Sequence, residues 1–588
     1  MGVALVLTGA DLTPEDLIAA ASDPEARVRC APEGLEQVRR CRAVVDASVA
    51  AYTAQHAAWR AGTRAAPPGA REYGVTTGFG RFKDVPIPPT ELAVLQANLL
   101  PSHAAGVGTS TDPADSSNYF APEIVRAVLL LRVNAFLKGH SGVRVELVET
   151  LLAWFHAGVV PRVPIRGSLG ASGDLCPLAH LFLPLLGQGE FQVGADRTVH
   201  PGAEIGRFAP LPSPAISHKE GLALINGATF SAALLAQAVV QAERLVDAAD
   251  VGCALAVEAI AGCARAFDER IHAARNHPGQ QASAARIRAL LAGSRGVEAR
   301  GEVQDPYCVR CAPAVHGASR DALAYARRVV EAELNAATDN PLFFPDGGPP
   351  FDAHFAGNWP AGHDGRARVA YSAGNFHGQP IAMAADVLTL AVAELASIGE
   401  RRTQMLLDAH HSHGLPASLT ARPGLHSGYM IAQYTAASLV SENKVLAHPA
   451  VVDSIPSSAN IEDHVPMALV AARKLMTVVH TTAAVQAIEV LVGAQAVEWR
   501  HAGVAPPAPG TDPLQASEDR ATAFAAAVDA AGRARIASRL GRGTARFYKK
   551  IREVVPPLLA DRLLATDIRT AQVLVASGGL SGPILPAE

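Results

Sequence analysis

The sequence predicts a mainly α protein: a bundle of long helices with a smaller N-terminal mixed lobe that carries a glycine-rich loop. Three observations predict it. From about residue 212 the chain runs in long Ala- and Leu-rich stretches, at 227–266, 317–338, 380–408, 427–447 and 466–500, with little Pro or Gly inside. Helices of that length lie along one another. Before residue 212, glycine-punctuated loops interrupt the helical pattern, and Glu190 to His200 is extended and suits a small sheet. At 588 residues, 49% hydrophobic and 18% charged, the chain can bury a large core. The resulting division is an N-terminal lobe at 1–211, a central bundle at 212–500, and a linker with a terminal helical segment at 501–588.

Residues 1–70 read as irregular to helical, with Thr13-Pro-Glu-Asp and Asp23-Pro-Glu as helix starts. Arg71 to Lys83 is too rich in glycine for anything but a loop, and it lacks the Gly-Lys-Ser/Thr ending of a phosphate loop. Phe120 to Lys138 and Val143 to His156 have helical periodicity. Several of the later long helices carry more apolar surface than one stripe, which predicts burial between subunits. Pro345 to Gly365 reads as an exposed excursion, His501 to Asp512 as a linker, and 517–541 as a terminal helical segment.

A formal net charge of -4 gives no reason to expect nucleic acid or an anionic membrane as partner. No apolar run reads as long and uninterrupted enough to span a bilayer. The start, Met1-Gly-Val-Ala-Leu-Val-Leu-Thr8, has no basic leader, so a cytoplasmic protein is expected. Seven scattered cysteines do not make a disulfide framework, and Cys308-Val-Arg-Cys311 lacks the second pair of a zinc site. His410-His-Ser-His413 places only its first and last members on one helix face, so no metal site is expected.

The chemistry concentrates in Ile165-Arg-Gly-Ser-Leu-Gly-Ala-Ser-Gly-Asp174-Leu-Cys-Pro-Leu-Ala-His180. Attack of the Gly173 amide nitrogen on the Ala171 carbonyl carbon closes a five-membered ring. Loss of two waters leaves a methylidene-imidazolone, an electrophile whose exposed carbon was the Ser172 side chain. Gly173 has no Cβ to obstruct that closure. Gly167 and Gly170 permit a compressed turn. The run is not a serine-hydrolase elbow, which needs Gly-x-Ser-x-Gly after a strand.

Other runs are equally particular: Tyr73-Gly-Val-Thr-Thr-Gly-Phe-Gly80, Ser102-His103-Ala-Ala-Gly-Val-Gly108, Glu220 to Asn226-Gly, and Gln304-Asp-Pro-Tyr307-Cys-Val-Arg310. Further on come Glu333 to Asn340-Pro, Gly374-Asn-Phe376-His-Gly-Gln, Ser441-Glu442 to His448-Pro, and Asp453 to Asn460-Ile461-Glu-Asp-His464. From about residue 71 to 500 these runs resemble the aromatic amino acid lyase family of histidine, tyrosine and phenylalanine ammonia-lyases and related 2,3-aminomutases. The resemblance implies an electrophile formed from Ala171, Ser172 and Gly173 with no external cofactor. It also implies a mostly helical homotetramer whose active sites are shared between subunits.

Tyr73 matches the family's base. As a free tyrosine titrates near pH ~10, that role requires a depressed pKa from nearby positive charge or dipoles. Arg310 matches the residue that pairs with the substrate carboxylate, for which a guanidinium offers a bidentate fork. Asn226 and Tyr307 match residues that hydrogen-bond the prosthetic group and the bound amine or carboxylate, and Phe376 matches an aromatic wall. Ser102-His103 resembles the selectivity pair of histidine ammonia-lyases, with tyrosine as the other substrate it admits. Glu442 matches a carboxylate that pairs with an imidazole N–H. The implied reaction is conversion of L-histidine to urocanate and ammonia, with a tyrosine lyase, an aromatic aminomutase or an inactive scaffold as alternatives. The sequence departs from the family pattern at Ile461, Thr76 and Ala314.

Overall fold

The computed structural model describes residues 2–65, 67–68, 72–194, 197–346, 370–504 and 512–584. The excursion expected at 345–365 and the linker at 501–512 fall largely outside them. Helix dominates, and strands are few and short. The five long runs are helices at Thr229–Ala259, Ala312–Leu334, Gln379–Leu407, Met430–Leu446 and Ala468–His501. Two of them, Gln379–Leu407 and Ala468–His501, are long and apolar enough to cross a membrane, which corrects the expectation that no such run exists. Their most apolar windows are 72% and 78% buried within the protein, as expected of core helices.

The chain divides into two compact units: one of Met1–Gln237, Arg327–Ala385 and Pro449–Arg473, the other of Ala238–Ala326, Asp386–His448 and Lys474–Glu588. Four of the five boundaries between them fall inside long helices, and the fifth, at 448/449, follows helix Met430–Leu446. In the first unit, Val159–Pro161, Glu190–Val193 and Thr198–Pro201 form the small antiparallel sheet. Helices Pro122–Phe136 and Val145–His156 match their periodic runs.

Near the N-terminus the outcome is mixed. Thr13 caps helix Pro14–Ser22, its hydroxyl accepting from the Asp16 N–H at 3.1 Å. Asp23 starts no helix. Its carboxylate accepts from the backbone of Val3 at 2.7 Å and of Glu25 at 2.9 Å. These bonds shape the turn before Arg27–Cys30, which pairs in parallel with Ala4–Leu7. At the other end the helical segment expected at 517–541 is two helices, Pro513–Ala527 and Ala530–Ala537, followed by Arg542–Val554 and Leu564–Ala576. Asp512 and Asp529 cap the first two of these, each accepting backbone N–H bonds, which is why the run breaks where it does.

Candidate active site

The Ala-Ser-Gly loop is held by a two-residue parallel bridge between Gly173 and Gly227. The Gly227 N–H donates to Ser172 O at 3.3 Å and the Asp174 N–H donates to Gly227 O at 2.8 Å. The Gly173 N–H between them makes no hydrogen bond among the described residues, so the nitrogen that would attack Ala171 in a cyclisation is uncommitted. Gly173 has φ +78°, and a Cβ there would lie 2.1 Å from the Gly227 backbone, so only glycine fits. Asp174 anchors the loop from beneath. Its fully buried carboxylate accepts from Ser168 Oγ at 2.7 Å, Ser231 Oγ at 3.1 Å and the Ser231 N–H at 2.8 Å. Burial raises the carboxyl and those donors pull against it.

Ser172 opens onto a cavity of about 550 Å³ lined, among others, by Tyr73, Ser102, His103, Asn226 and Glu462, all in the first unit. Asn226 caps the C-terminus of helix Glu220–Ile225 and donates from Nδ2 to Ser172 O at 2.9 Å. Its buried Oδ1 has no partner among the described residues. Ser172 Oγ donates to Glu462 Oε1 at 3.0 Å, and Ser457 Oγ holds Oε2 at 3.0 Å. The carboxylate is thus in contact with the hydroxyl that a cyclisation would expel. An uncommitted nucleophile, a glycine-only contact and two donors on the Ser172 carbonyl all fit a cyclised Ala171-Ser172-Gly173.

Gln96 positions the loop carrying Tyr73. Its Nε2 donates to Gly74 O at 2.8 Å, while its Oε1 accepts the Leu222 N–H at 3.2 Å, tying the loop to the helix that ends at Asn226. The Tyr73 phenol oxygen accepts the Gly80 N–H at 3.0 Å. Burial nevertheless pushes Tyr73 above the usual tyrosine value, with Gly80 opposing and the Glu462 charge adding to the rise. Within one chain, therefore, the depressed pKa expected of a base is not met.

His103 ends helix Leu92–His103 with Nδ1 2.9 Å from Leu99 O. A carbonyl only accepts, so Nδ1 carries the proton and Nε2 is left as an acceptor. Burial lowers the imidazole pKa, which favours that neutral form. Ser102 Oγ donates to the same carbonyl at 3.0 Å, steadying the turn.

Tyr307, Arg310 and Glu442 belong to the second unit and do not line this cavity. Tyr307 is 72% exposed in helix Tyr307–Arg310, with the Arg310 guanidinium 4.6 Å from its ring centre. Arg310 Nε donates to Asp305 O at 3.0 Å. Glu442 is exposed on helix Met430–Leu446, with no ion pair among the described residues. Phe376 is half-buried in a segment whose Gly378 N–H donates to Gly170 O at 2.9 Å, directly against the electrophile loop.

Ile461 is half exposed and does not line the cavity. Thr76 is buried and accepts the Glu72 N–H at 2.9 Å, and Ala314 sits in helix Ala312–Leu334. His410 to His413 follow the end of helix Gln379–Leu407 in turns, with His411 paired to Asp408 at 2.7 Å. No metal-binding cluster occurs among the described residues. Glu462 went unassigned in the sequence, although it stands in a run singled out there, and Gln96 lies six residues before the Ser102-His103 run. The acidic pair Glu462-Asp463 near the end of that run was the available signal for Glu462.

Residues 12–530 match the aromatic amino acid lyase family. The histidine ammonia-lyase of Gloeobacter violaceus is 45% identical over 98% of this chain and 96% of its own length. The crystal structure of histidine ammonia-lyase from Trypanosoma cruzi superposes with TM-score 0.76 at 36% identity, covering 98% of this chain and 94% of that one. The tyrosine aminomutase of Streptomyces globisporus superposes with TM-score 0.77 at 31% identity, covering 99% and 98%. With Tyr73, Ser172 and Asn226 gathered on one cavity, the chain belongs to the aromatic amino acid lyase family.

Proposed function

We propose that this chain deaminates L-histidine to urocanate and ammonia. The observation that carries the reading is the cavity in which Ser172 faces Tyr73, His103 and Glu462. The chemistry supplied by the cyclised tripeptide is capture of the substrate amine at an electrophilic carbon. Asn226 Nδ2 and the Gly227 N–H hold the Ser172 carbonyl, where hydrogen bonds stabilise negative charge. Tyr73 takes the β-proton. His103 Nε2 and Glu462 are both acceptors: a neutral imidazole offers its single N–H to one of them, and an imidazolium offers one to each. A phenylalanine ring would leave both polar groups unpaired, at a cost in selectivity of several kcal/mol, about 4 or more.

The site is completed by other subunits of a homotetramer in this reading. Arg310 of a neighbouring subunit pairs with the carboxylate and supplies the positive charge that Tyr73 lacks within its own chain. Tyr307 accompanies it. Glu462, rather than Glu442, reads the ring.

The test is a near-ultraviolet trace of the purified protein with L-histidine alone, beside an intact mass. Growth of the acrylate chromophore, ammonia release and a mass short by two waters support the reading. A flat trace with histidine and a rise with tyrosine would move the substrate. Formation of a β-amino acid would replace lyase by mutase, the activity named for the Streptomyces relative.

A further inference from the structure

We propose that Arg132 is a positioning residue for the electrophile, acting on the Ser172 carbonyl oxygen through the Asn226–Gly227 peptide. The inference rests on the reading that Ala171-Ser172-Gly173 cyclises.

Arg132 lies in helix Pro122–Phe136 and is 1% exposed. No carboxylate reaches its guanidinium within ion-pair distance among the described residues. The acid that attracts it, Asp339, is bonded to Lys219 Nζ at 2.7 Å. Burial pulls Arg132 down to about 10, which leaves it charged at neutral pH. A buried cation satisfied mainly by neutral acceptors is a costly arrangement, and its contacts show where the charge is applied.

All of its hydrogen bonds fall on residues 223–229. Nη1 donates to Asn226 O at 2.8 Å and to Thr229 Oγ1 at 3.3 Å, and Nη2 donates to Ala223 O. The Asn226 carbonyl and the Gly227 N–H are the two ends of one peptide unit. Arg132 grips the carbonyl end, and the N–H end donates to Ser172 O at 3.3 Å. The second donor on that oxygen, Asn226 Nδ2 at 2.9 Å, belongs to the same gripped residue. A donor on a carbonyl polarises its amide and strengthens the N–H beyond it, so the guanidinium charge is relayed to Ser172 O.

That oxygen is where charge gathers. When a nucleophile bonds to the methylidene carbon, the displaced π pair moves through the ring onto the conjugated Ser172 oxygen, which then takes a proton. Gly227 makes the approach possible. At φ +114°, a Cβ would lie 3.0 Å from Arg132 Nη1 and 2.5 Å from Thr338 Oγ1.

The experiment compares wild-type protein with Arg132→Lys, Arg132→Met and Thr229→Val. Intact mass gives the cyclised fraction of each. Cyanide, which needs none of the substrate-binding groups, is then added, and loss of the near-ultraviolet band gives a capture rate per cyclised site. Arg132→Met should be slower by on the order of tenfold. Arg132→Lys should fall between it and wild type, and Thr229→Val should match wild type. With L-histidine, kcat should drop more than KM rises. A folded Arg132→Lys that stays uncyclised also supports the relay, because loss of the Ser172 α-proton during dehydration places charge on the same oxygen. If Arg132→Met does not fold, Arg132→Lys decides. Equal capture rates in cyclised wild type and cyclised variants would overturn the inference alone. A wild type with no mass deficit and no cyanide capture would overturn the cyclisation reading, and the relay with it.

Discussion

In the unit that holds Ser172, the functional groups face one another across a cavity. Asn226 and Gly227 grip a carbonyl, Glu462 touches the Ser172 hydroxyl, and Gln96 ties the base loop in place. In the unit that holds Tyr307, Arg310 and Glu442, the first and last are exposed and Arg310 is half-buried, and what is organised lies beneath the turn Tyr307–Arg310. Fully buried Arg402 donates from Nη1 to Cys308 O at 3.0 Å and from Nε to Glu489 Oε1 at 2.5 Å. His316, its pKa lowered by burial, holds Asp250 at 2.7 Å. Asp305, at the foot of the same turn, is fastened by Arg300 at 2.9 Å and by the Cys263 N–H at 2.5 Å. One unit encloses a cavity with Ser172 on its wall. The other presents a turn stiffened from inside, as suits a surface that acts in a site it does not enclose.

The largest effect that separates the two comes from Ser172→Ala, which removes the hydroxyl whose loss creates the methylidene. Activity should fall by on the order of 10⁴-fold or more, and the mass deficit should vanish. Arg310→Met should leave the mass deficit intact while activity collapses. Co-expressing these two inactive variants tests the division directly. If each site takes its electrophile from one subunit and its arginine from another, random mixing restores roughly a quarter of wild-type sites. No recovery would mean that both groups serve the same chain.

Proton uptake sharpens the same contrast. Tyr73 sits above the usual tyrosine range in its own chain, and only the deprotonated phenol can accept a proton. A cation brought by another subunit lowers that value, so removing it by Arg310→Met moves the acid limb of kcat/KM to higher pH. A limb that stays in place would detach Tyr73 from Arg310. Glu462→Gln should cost about 10- to 100-fold with L-histidine, and Glu442→Gln much less. The reverse ranking would restore the role that sequence reasoning gave to Glu442.

Much of this arrangement was legible in the sequence, and the gaps have physical reasons. Helical periodicity is local, so the long runs and Pro122–Phe136 emerged as helices. Glycines that permit a single backbone geometry also leave a local mark, and Tyr73, Ser172 and Asn226 duly meet. What escaped depends on distant partners. Glu442 and Glu462 stand twenty residues apart in neighbouring runs, and only the fold brings Glu462 Oε1 to 3.0 Å from Ser172 Oγ. Arg132 resembles any helical arginine until its helix is set beside residues 223–229. The pairing of Ala4–Leu7 with Arg27–Cys30 has no hairpin turn to announce it, because parallel strands need a longer connection.

The smallest expected effect isolates the stiffened turn. Arg402→Lys keeps a charge near Glu489 but replaces a planar fork, which reaches Glu489 and the Cys308 carbonyl together, by a single ammonium. The carboxylate at 489 lies where Cβ atoms at Gly252 and Gly399 would come within 2.4 Å and 2.5 Å, so it has little room to follow a shorter cation. The turn carrying Tyr307 and Arg310 should therefore loosen while the chamber around Ser172 stays as it was. KM for L-histidine should rise by about three- to tenfold, with the cyclised fraction and the cyanide capture rate unchanged. A fall in cyanide capture would show that the second unit supports the electrophile as well as the substrate carboxylate. Unchanged KM would show that the buried charges serve folding alone.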